Sequence, residues 1–287
     1  MSTARKVLSG LLMACACNFS SMVSAQSNWM LQRGTRTVSL EWLKPSLSND
    51  EYYTFGTSVY NLTARLPMND KHTFIVEVPF SHYGFEYDDG GFNFSETENT
   101  VGNIYVGMEI GEKDNPVFTE FGVRLPTVSG NKSGAQSIGI LTDWDRLDGF
   151  VNDIIPVTFK VNNYVKYPSG FVTRVRVGPE FWFATNDEEV DKFELFILYS
   201  AHGGLEAEKF GIGIGFNGRF WPTLGENSKL SEQMTHQMDV NFFAKFKNVR
   251  PGLYLRAPVD DDISEVLNSV FGLRIDFDLN RIDSDVN

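Results

Sequence analysis

Apolar and polar residues alternate strictly along many short segments of this chain. In residues 104–110, Ile104, Val106 and Met108 share one face, while Tyr105 and Glu109 share the other. A period of two places successive side chains on opposite faces of a β-strand. The segment therefore predicts a strand with one apolar and one polar face.

The same alternation recurs along the chain and predicts twelve strands. Segments 38–42 and 51–66 are strand-like, the second without a clear phase, and in the other ten every charge falls on one face. The predicted strands cover residues 38–42, 51–66, 74–80, 104–110, 117–125, 157–161, 171–183, 193–200, 210–216, 238–246, 253–256 and 271–279.

Two folds fit strands of this kind. A soluble β-sandwich buries the apolar face, whereas a transmembrane barrel turns that face toward lipid. Three features favour the barrel: an even number of strands, glycines on the polar face, and connections that alternate in length, with 81–100 and 126–155 the longest. We therefore predict an all-β fold, a transmembrane antiparallel up-and-down β-barrel of about twelve strands, with its longer connections outside the cell.

The N-terminus has the pattern of a secretory signal peptide. Arg5 and Lys6 precede an apolar stretch, 7–17, and the sequence Val-Ser-Ala at 23–25 offers a small-residue cleavage site. This layout predicts a signal peptide over residues 1–25 and export through the inner membrane.

Only two cysteines occur, Cys15 and Cys17, and both lie inside the predicted signal peptide. A disulfide-stapled domain and a cysteine zinc site are therefore excluded for the chain that remains after cleavage. The alternative at this end is a lipoprotein-type site at which Cys15 would carry a lipid. We predict that residues 26–287 form one barrel with a short polar C-terminal tail, located in the bacterial outer membrane.

The excess of acidic over basic residues limits the kinds of molecule that the protein is expected to bind. The chain has 37 acidic and 25 basic residues, a formal net charge of -12. This balance argues against nucleic-acid binding, which needs a basic surface. Two acidic clusters, 260–262 and Glu86 with Asp88 and Asp89, are interpreted as solvated loops, with divalent-cation binding as the alternative. No cofactor and no metal site is predicted.

The motifs expected of an enzyme lack their structural context. Residues 213–218 match the dinucleotide pattern G-x-G-x-x-G, but they lie inside an alternating strand rather than at a strand-to-helix turn. Outer-membrane phospholipases use a serine activated by histidine. The close pairs here, Ser81 with His82 and Ser200 with His202, do not match the signature of that family. The protein is predicted not to be an enzyme, and a lipid-modifying outer-membrane enzyme is the less favoured alternative.

The long connection 126–155 contains apolar residues at helical spacing. They are Ile138, Leu141, Trp144, Leu147 and Val151. Thr142, with Asp145 three residues later, predicts a cap for the second half of this helix. We interpret the connection as a packed surface loop, and the alternative is a plug folded into the lumen.

Fourteen ionisable residues fall on the polar faces of the predicted strands and are expected to point into the lumen. Charges at membrane depth are costly unless they are paired or hydrated. Two interpretations stay open: a salt-bridged interior that stiffens the barrel, and a polar pathway whose charges select solutes. The predicted pore-lining residues are Glu109, Glu120, Arg124, Lys160, Arg174, Arg176, Glu180, Glu194, Arg219, Asp239, Lys245, Arg256, Arg274 and Asp276.

Among these residues, Arg124 and Arg256 each lie two positions before a proline that ends a strand. This spacing predicts that both lie near the outer mouth. Unpaired guanidinium groups in a narrow polar path favour carboxylates and phenolates. The alternative is that Glu120 and Glu180, which share strands with arginines, neutralise them as ion pairs.

Several strand segments resemble the outer-membrane barrel family named after the meta pathway of phenol degradation. They are residues 102–107 (GNIYVG), 120–126 (EFGVRLP), 177–180 (VGPE) and 270–273 (VFGL). The resemblance covers most of the chain after the signal peptide and implies uptake of small organic compounds, many of them aromatic. The polar tail that follows Leu279 departs from the aromatic terminus of a typical barrel.

We therefore expect an outer-membrane channel or transporter for small solutes, aromatic or anionic ones among them. Its expected partners are outer-membrane lipids, the barrel assembly machinery and the transported solute. A structural or surface-interaction barrel without flux is the alternative function.

Overall fold

The computed structural model describes residues 34–48, 52–88, 93–186, 192–225 and 228–279. The predicted signal peptide, the alternative lipidation site and the polar tail lie outside the described residues. No helix in the described part of the chain is long and apolar enough to cross a membrane.

Thirteen strands in the described residues form one antiparallel sheet. They are β1 (Thr37–Leu47), β2 (Ser58–Pro67), β3 (His72–Asp88), β4 (Asn93–Val101), β5 (Ile104–Ile110), β6 (Val117–Leu125), β7 (Ile154–Lys166), β8 (Phe171–Ala184), β9 (Phe193–Glu206), β10 (Phe210–Phe220), β11 (Met234–Ala244), β12 (Val249–Pro258) and β13 (Leu267–Asp278).

The sheet closes on itself, because β1 pairs with both β2 and β13. The first half of β3 pairs with β5, and its second half pairs with β4, which extends beyond the ring. The closed ring therefore has twelve strand positions, and the predicted antiparallel up-and-down barrel is confirmed. One end carries tight connections such as 68–71 and 245–248, and we call it the short-turn end; the other is the long-loop end.

The two faces of each strand differ as the alternation predicts. On β10, Ile212 and Ile214 are 47% and 59% exposed, whereas Gly213 between them faces the interior. Glycines on the interior face make room for large side chains from neighbouring strands. A Cβ atom at Gly272, for example, would lie 2.3 Å from the ring of Tyr254. The apolar face is thus turned outward, where lipid would solvate it.

The predicted long connection 81–100 is wrong. β3 continues to Asp88, and β4 returns from Asn93 to Val101, so most of this segment is a hairpin that projects past the ring at the long-loop end. The sequence of β4, NFSETENTV, is polar on both faces. It lacks the alternation that marks a strand with a lipid face, because this hairpin lies beyond the part of the barrel that contacts lipid.

The connection between β6 and β7 is also not the surface loop that was expected. It contains α1 (Ser133–Thr142) and a 3-10 helix (Trp144–Gly149), and we call residues 133–149 the inserted segment. Ile138 is 2% exposed and packs with Leu43 and Val59 of the barrel wall. The predicted cap at Thr142 is wrong, since α1 ends there and no side chain caps the helix that follows. The connection is folded into the barrel.

Candidate pore and its inserted segment

Of the fourteen residues predicted to line a pore, twelve are buried and two are partly exposed. Glu194 and Lys245 are partly exposed at the barrel ends. The other twelve are at most 6% exposed and lie inside the barrel. The structure therefore gathers these charges in the interior, and their role in lining a pore stays a prediction.

Arg146 of the inserted segment lies at the centre of the largest group of buried charges. Its guanidinium forms an ion pair with Glu41 of β1, and its Nη1 lies 3.1 Å from Oε2 of Glu77 on β3. Its Nε donates to Oδ2 of Asp143 at 2.6 Å. The Tyr254 hydroxyl of β12 donates to Glu41 at 2.6 Å. One residue of a connection thereby joins three carboxylates, two of them on the barrel wall.

The two arginines predicted near the outer mouth hold the same segment from the other side. Arg124 Nε lies 2.6 Å from Asp148 Oδ2. Arg256 Nη1 lies 3.1 Å from Asp143 Oδ1, and its Nη2 lies 3.7 Å from Asp145. Arg124 also pairs with Glu77 of β3, its Nη2 lying 2.9 Å from Oε1. The inserted segment thus supplies acidic partners to both arginines, a source that the sequence did not reveal.

Glu120 and Glu180 pair with other arginines of the interior. Arg176 Nη2 lies 2.6 Å from Glu120, which also accepts a hydrogen bond from the Tyr105 hydroxyl at 2.7 Å. Arg219 Nη1 lies 3.2 Å from Glu180. The expectation that these acids act as partners of arginines matches this arrangement, although neither of them is paired with Arg124.

Nearer the short-turn end, further ion pairs join the interior charges. Arg65 of β2 forms an ion pair with Glu109 of β5. Arg274 Nε lies 2.7 Å from Asp276 Oδ1 on the same strand. The Glu206 carboxylate lies 2.5 Å from the ammonium group of Lys245. Each of these charged side chains thus has a partner of opposite sign.

The remaining predicted residues also have definite positions. Arg174 Nη2 donates to Oδ1 of Asn162 at 3.3 Å. Asp239 of β11 lies 3.8 Å from the ring of His202 on β9. Glu194 accepts a hydrogen bond from the Trp221 indole at 2.6 Å, near the long-loop end. Lys160 is buried in the wall on β7.

The free volume of the interior differs between the two ends. Beside the inserted segment, a cavity bounded by Glu77, Arg124 and Arg146 has a volume of about 20 Å³, room for a single water. At the short-turn end, cavities of about 200 Å³ beside Glu109 and about 460 Å³ beside Tyr164 are much larger. Among these cavities, the space beside the inserted segment is therefore much smaller than the space at the short-turn end.

Asp145 differs electrostatically from its neighbours in the inserted segment. It lies outside the strands, in the 3-10 helix. Burial raises the pKa of its carboxyl to about 6, and the nearby Asp143 adds to this effect while Arg256 opposes it. Its Oδ2 accepts a hydrogen bond from Asn217 of β10 at 3.2 Å. This carboxyl therefore changes charge close to neutral pH.

A second polar group lies on the outer face of the barrel. The Tyr199 hydroxyl of β9 lies 2.8 Å from Nε2 of His236 on β11, and Nδ1 of that ring lies 2.9 Å from Asp260. The tyrosine ring crosses Gly218, where a Cβ atom would lie 2.2 Å from Cε2 of the ring. Asp260, one of the clustered acids expected to be solvated, thus ties the connection after β12 to two strands.

Solved structures with a similar fold are outer-membrane barrels. An outer-membrane channel from Pseudomonas putida F1 matches with a TM-score of 0.57 over 88% of this chain and 98% of that chain, at 10% sequence identity. The chain has the fold of an outer-membrane β-barrel. LpxR from Salmonella typhimurium matches 84% of this chain and 99% of its own, with a TM-score of 0.49 and 9% identity.

A third match is the translocator domain of the autotransporter NalP from Neisseria meningitidis. It covers 96% of this chain and 95% of that chain, with a TM-score of 0.49 and 7% identity. No protein-family model matches the chain, and no curated protein sequence matches it.

Proposed function

We propose that this protein is an outer-membrane channel for small solutes and that its inserted segment closes the lumen. The observation that carries the proposal is the way in which the segment is held. Asp143, Arg146 and Asp148 connect it to the wall through side-chain ion pairs. Such contacts can break without disturbing the strand pairing of the barrel. A twelve-position ring with a polar interior then leaves a path once the segment moves.

The location and partners follow from the same proposal. A signal peptide at 1–25 would direct export, and the barrel assembly machinery would insert the chain. Lipids of the outer membrane would contact the exposed apolar face, and the long-loop end would face outside the cell. We propose no enzymatic activity. Membership of the meta-pathway family is part of the proposal and rests on the strand segments that resemble it.

The solute preference expected from the sequence needs revision. Selection of anions requires unpaired arginines in the path. Arg124, Arg176 and Arg256 each have an acidic partner within 3.1 Å. With the segment docked, these ion pairs do not favour anions. Once the segment moves away, Arg256 parts from Asp143 and Asp145, whereas Arg124 keeps Glu77 and Arg176 keeps Glu120 on the wall. The expected anion preference therefore applies to the open state and rests on Arg256.

A structural barrel without flux is the second candidate. The observation in its favour is the small volume left beside the inserted segment, about 20 Å³. A permanently docked segment would make the interior a rigid, salt-bridged core. The two functions differ in whether the segment ever leaves the lumen.

Conductance of the purified full-length protein in a planar bilayer tests the proposal. Arg146→Gln leaves three buried carboxylates without their shared cation, so this variant should conduct more than the parent. Lys132→Gln removes the same charge next to α1, outside these ion pairs, and should behave like the parent. A silent parent together with a silent Arg146→Gln variant would favour the structural barrel.

A further inference from the structure

The hairpin that projects past the ring carries a row of aromatic side chains on one face. Tyr83, Phe85 and Tyr87 alternate along β3, and Phe94 lies opposite Tyr87 on β4. The ring centroids of Tyr83 and Phe85 are 6.4 Å apart, and those of Phe85 and Phe94 are 6.1 Å apart. Tyr52, from the β1–β2 connection, extends the row with its ring 5.3 Å from that of Tyr87.

Two carboxylates share this face with the rings. Glu96 lies directly opposite Phe85, and Glu98 lies directly opposite Tyr83, in the register of β3 and β4. Residues directly opposite each other in an antiparallel pair point to the same side of the sheet. We call Tyr83, Phe85, Tyr87, Phe94, Glu96 and Glu98 the mouth surface.

The mouth surface adjoins the inserted segment at the long-loop end. Tyr83 lies on the same side of β3 as Glu77, whose carboxylate is inside the lumen. Glu98 accepts a hydrogen bond from the backbone N–H of Ala135, near the start of α1, at 3.1 Å. A Cβ atom at Gly134 would lie 2.7 Å from the Tyr83 ring. A solute that approaches the lumen from this end therefore meets the mouth surface first.

The charge of the hairpin has one sign. Residues 80–101 contain five acidic residues and no lysine or arginine. Elsewhere in the described chain, cations cover aromatic rings, as Arg219 covers Phe196 at 4.9 Å and Arg250 covers Phe243 at 5.1 Å. No described lysine or arginine lies over the rings of Tyr83, Phe85 or Phe94. Tyr53 packs against the rings of Tyr83 and Phe85, at 6.2 and 5.6 Å between ring centroids. Phe94 is 42% exposed and Tyr87 is partly exposed, so a cation from outside can reach their rings.

We propose that the mouth surface binds small organic cations, such as quaternary ammonium compounds. The faces of aromatic rings carry negative potential and attract cations, and groups of rings recognise quaternary ammonium ions in this way. Glu96 and Glu98 add the opposite charge beside the same rings, which a neutral solute would not use. The inference rests on the proposed channel function, because it names the solutes that this mouth would concentrate.

Calorimetric titration of the full-length protein in detergent tests this binding site directly. The probe is choline, and the matched neutral probe is 3,3-dimethylbutan-1-ol, in which carbon replaces the charged nitrogen. Choline should bind, and the neutral probe should bind about tenfold more weakly or not at all. Raising the salt from about 20 mM to about 300 mM should weaken choline binding, because exposed charges are screened.

Choline affinity in two variants and one control variant tests whether binding occurs at the mouth surface. Glu96→Gln and Tyr87→Leu should each weaken choline binding about threefold. Glu86→Gln removes the same charge from the opposite face of the hairpin, so it should bind choline like the parent. Equal binding of both probes, no choline binding at all, or an equal loss in Glu86→Gln would overturn the proposal.

The outcome is separable from the channel proposal. Binding is measured on the closed protein at equilibrium and needs no conductance. If the protein binds choline but never conducts, the channel proposal is contradicted and the binding site is supported. If the protein conducts but does not bind choline, the channel proposal is supported and the binding site at the mouth surface is contradicted.

Discussion

Nη1 of Arg146 lies 3.1 Å from Oε2 of Glu77, inside the barrel, and this ion pair joins the inserted segment to the third strand. Both side chains are at most 7% exposed. A buried ion pair is costly to break by removing one partner, because the remaining charge stays without compensation. Under the proposed function, undocking of the segment would relieve the carboxylates that lose Arg146, and Glu77 would keep Arg124 as its partner at 2.9 Å.

Arg146→Gln should therefore release the inserted segment without unfolding the barrel. Removing one partner of a buried ion pair costs about 3–5 kcal/mol. We expect this cost to lower the free energy that favours the docked segment. Limited proteolysis should cut within 133–149 faster than in the parent, while heat-modifiable migration on a gel stays unchanged. Lys132→Gln is the control, and the same rapid cutting in both variants would contradict the role assigned to Arg146.

Docking of the segment should depend on pH through Asp145. The pKa of its carboxyl is raised to about 6 in the docked state, above the usual value of about 3.9 in water. The docked state therefore binds the proton more tightly, and this contribution to docking is complete at low pH and lost as the pH rises through about 6. Conductance should be lower at about pH 5 than at about pH 7.5.

Asp145→Asn provides the control for this pH effect. Its side chain keeps a polar group toward Asn217 but no longer titrates. The difference in conductance between the two pH values should shrink in this variant. An unchanged pH response would assign the effect to another group.

The outward face should reject charge more strongly than the inward face. Ile212→Arg places a guanidinium on the outward face, where the native side chain is 47% exposed. An arginine on the lipid face costs about 2–4 kcal/mol near mid-membrane. Assembly, followed by heat-modifiable migration, should fail or weaken, whereas Gly213→Ser on the inward face should assemble. Equal tolerance of both changes would speak for an apolar face that does not meet lipid.

The hydrogen bonds among Tyr199, His236 and Asp260 on the outer face should stabilise the connection after β12. Gly218→Ala places a Cβ atom about where the Tyr199 ring lies, at 2.2 Å from its Cε2 atom, so the ring must move away from His236. Loss of one hydrogen bond of this kind corresponds to about 1 kcal/mol. The midpoint of thermal unfolding should be lower than in the parent for Gly218→Ala, and Tyr199→Phe should lower it by a similar amount. No change in either variant would show that the contact does not contribute to stability.

Much of the barrel was predictable from the sequence, because lipid and lumen impose opposite demands on alternate residues. Ile212 and Gly213 obey that rule, and so do the charged positions of β6 and β8. The inserted segment follows no such rule, since its contacts join residues distant along the chain, as Arg146 and Glu41 do. Glu41 obeys the alternation rule on β1, but it was not counted among the predicted lumen charges.

The mouth surface was hidden for a different reason. Its strand β4 lies beyond the ring, so no lipid face imposes an apolar pattern on it. Its aromatic residues come from two strands and one connection, and only the register of β3 with β4 brings them together. Acidic residues such as Glu96 were visible, but their relation to the rings was not.

Reversible cross-linking of the inserted segment tests the central claim most directly. Asp145→Cys with Asn217→Cys replaces two side chains whose polar atoms lie 3.2 Å apart, and the only native cysteines, Cys15 and Cys17, lie in the predicted signal peptide. Conductance of this double variant is measured in one bilayer after oxidation and again after reduction. We predict that oxidation closes the channel and that reduction restores conductance. Equal conductance in both states, or none in either, would contradict a segment that leaves the lumen to open it.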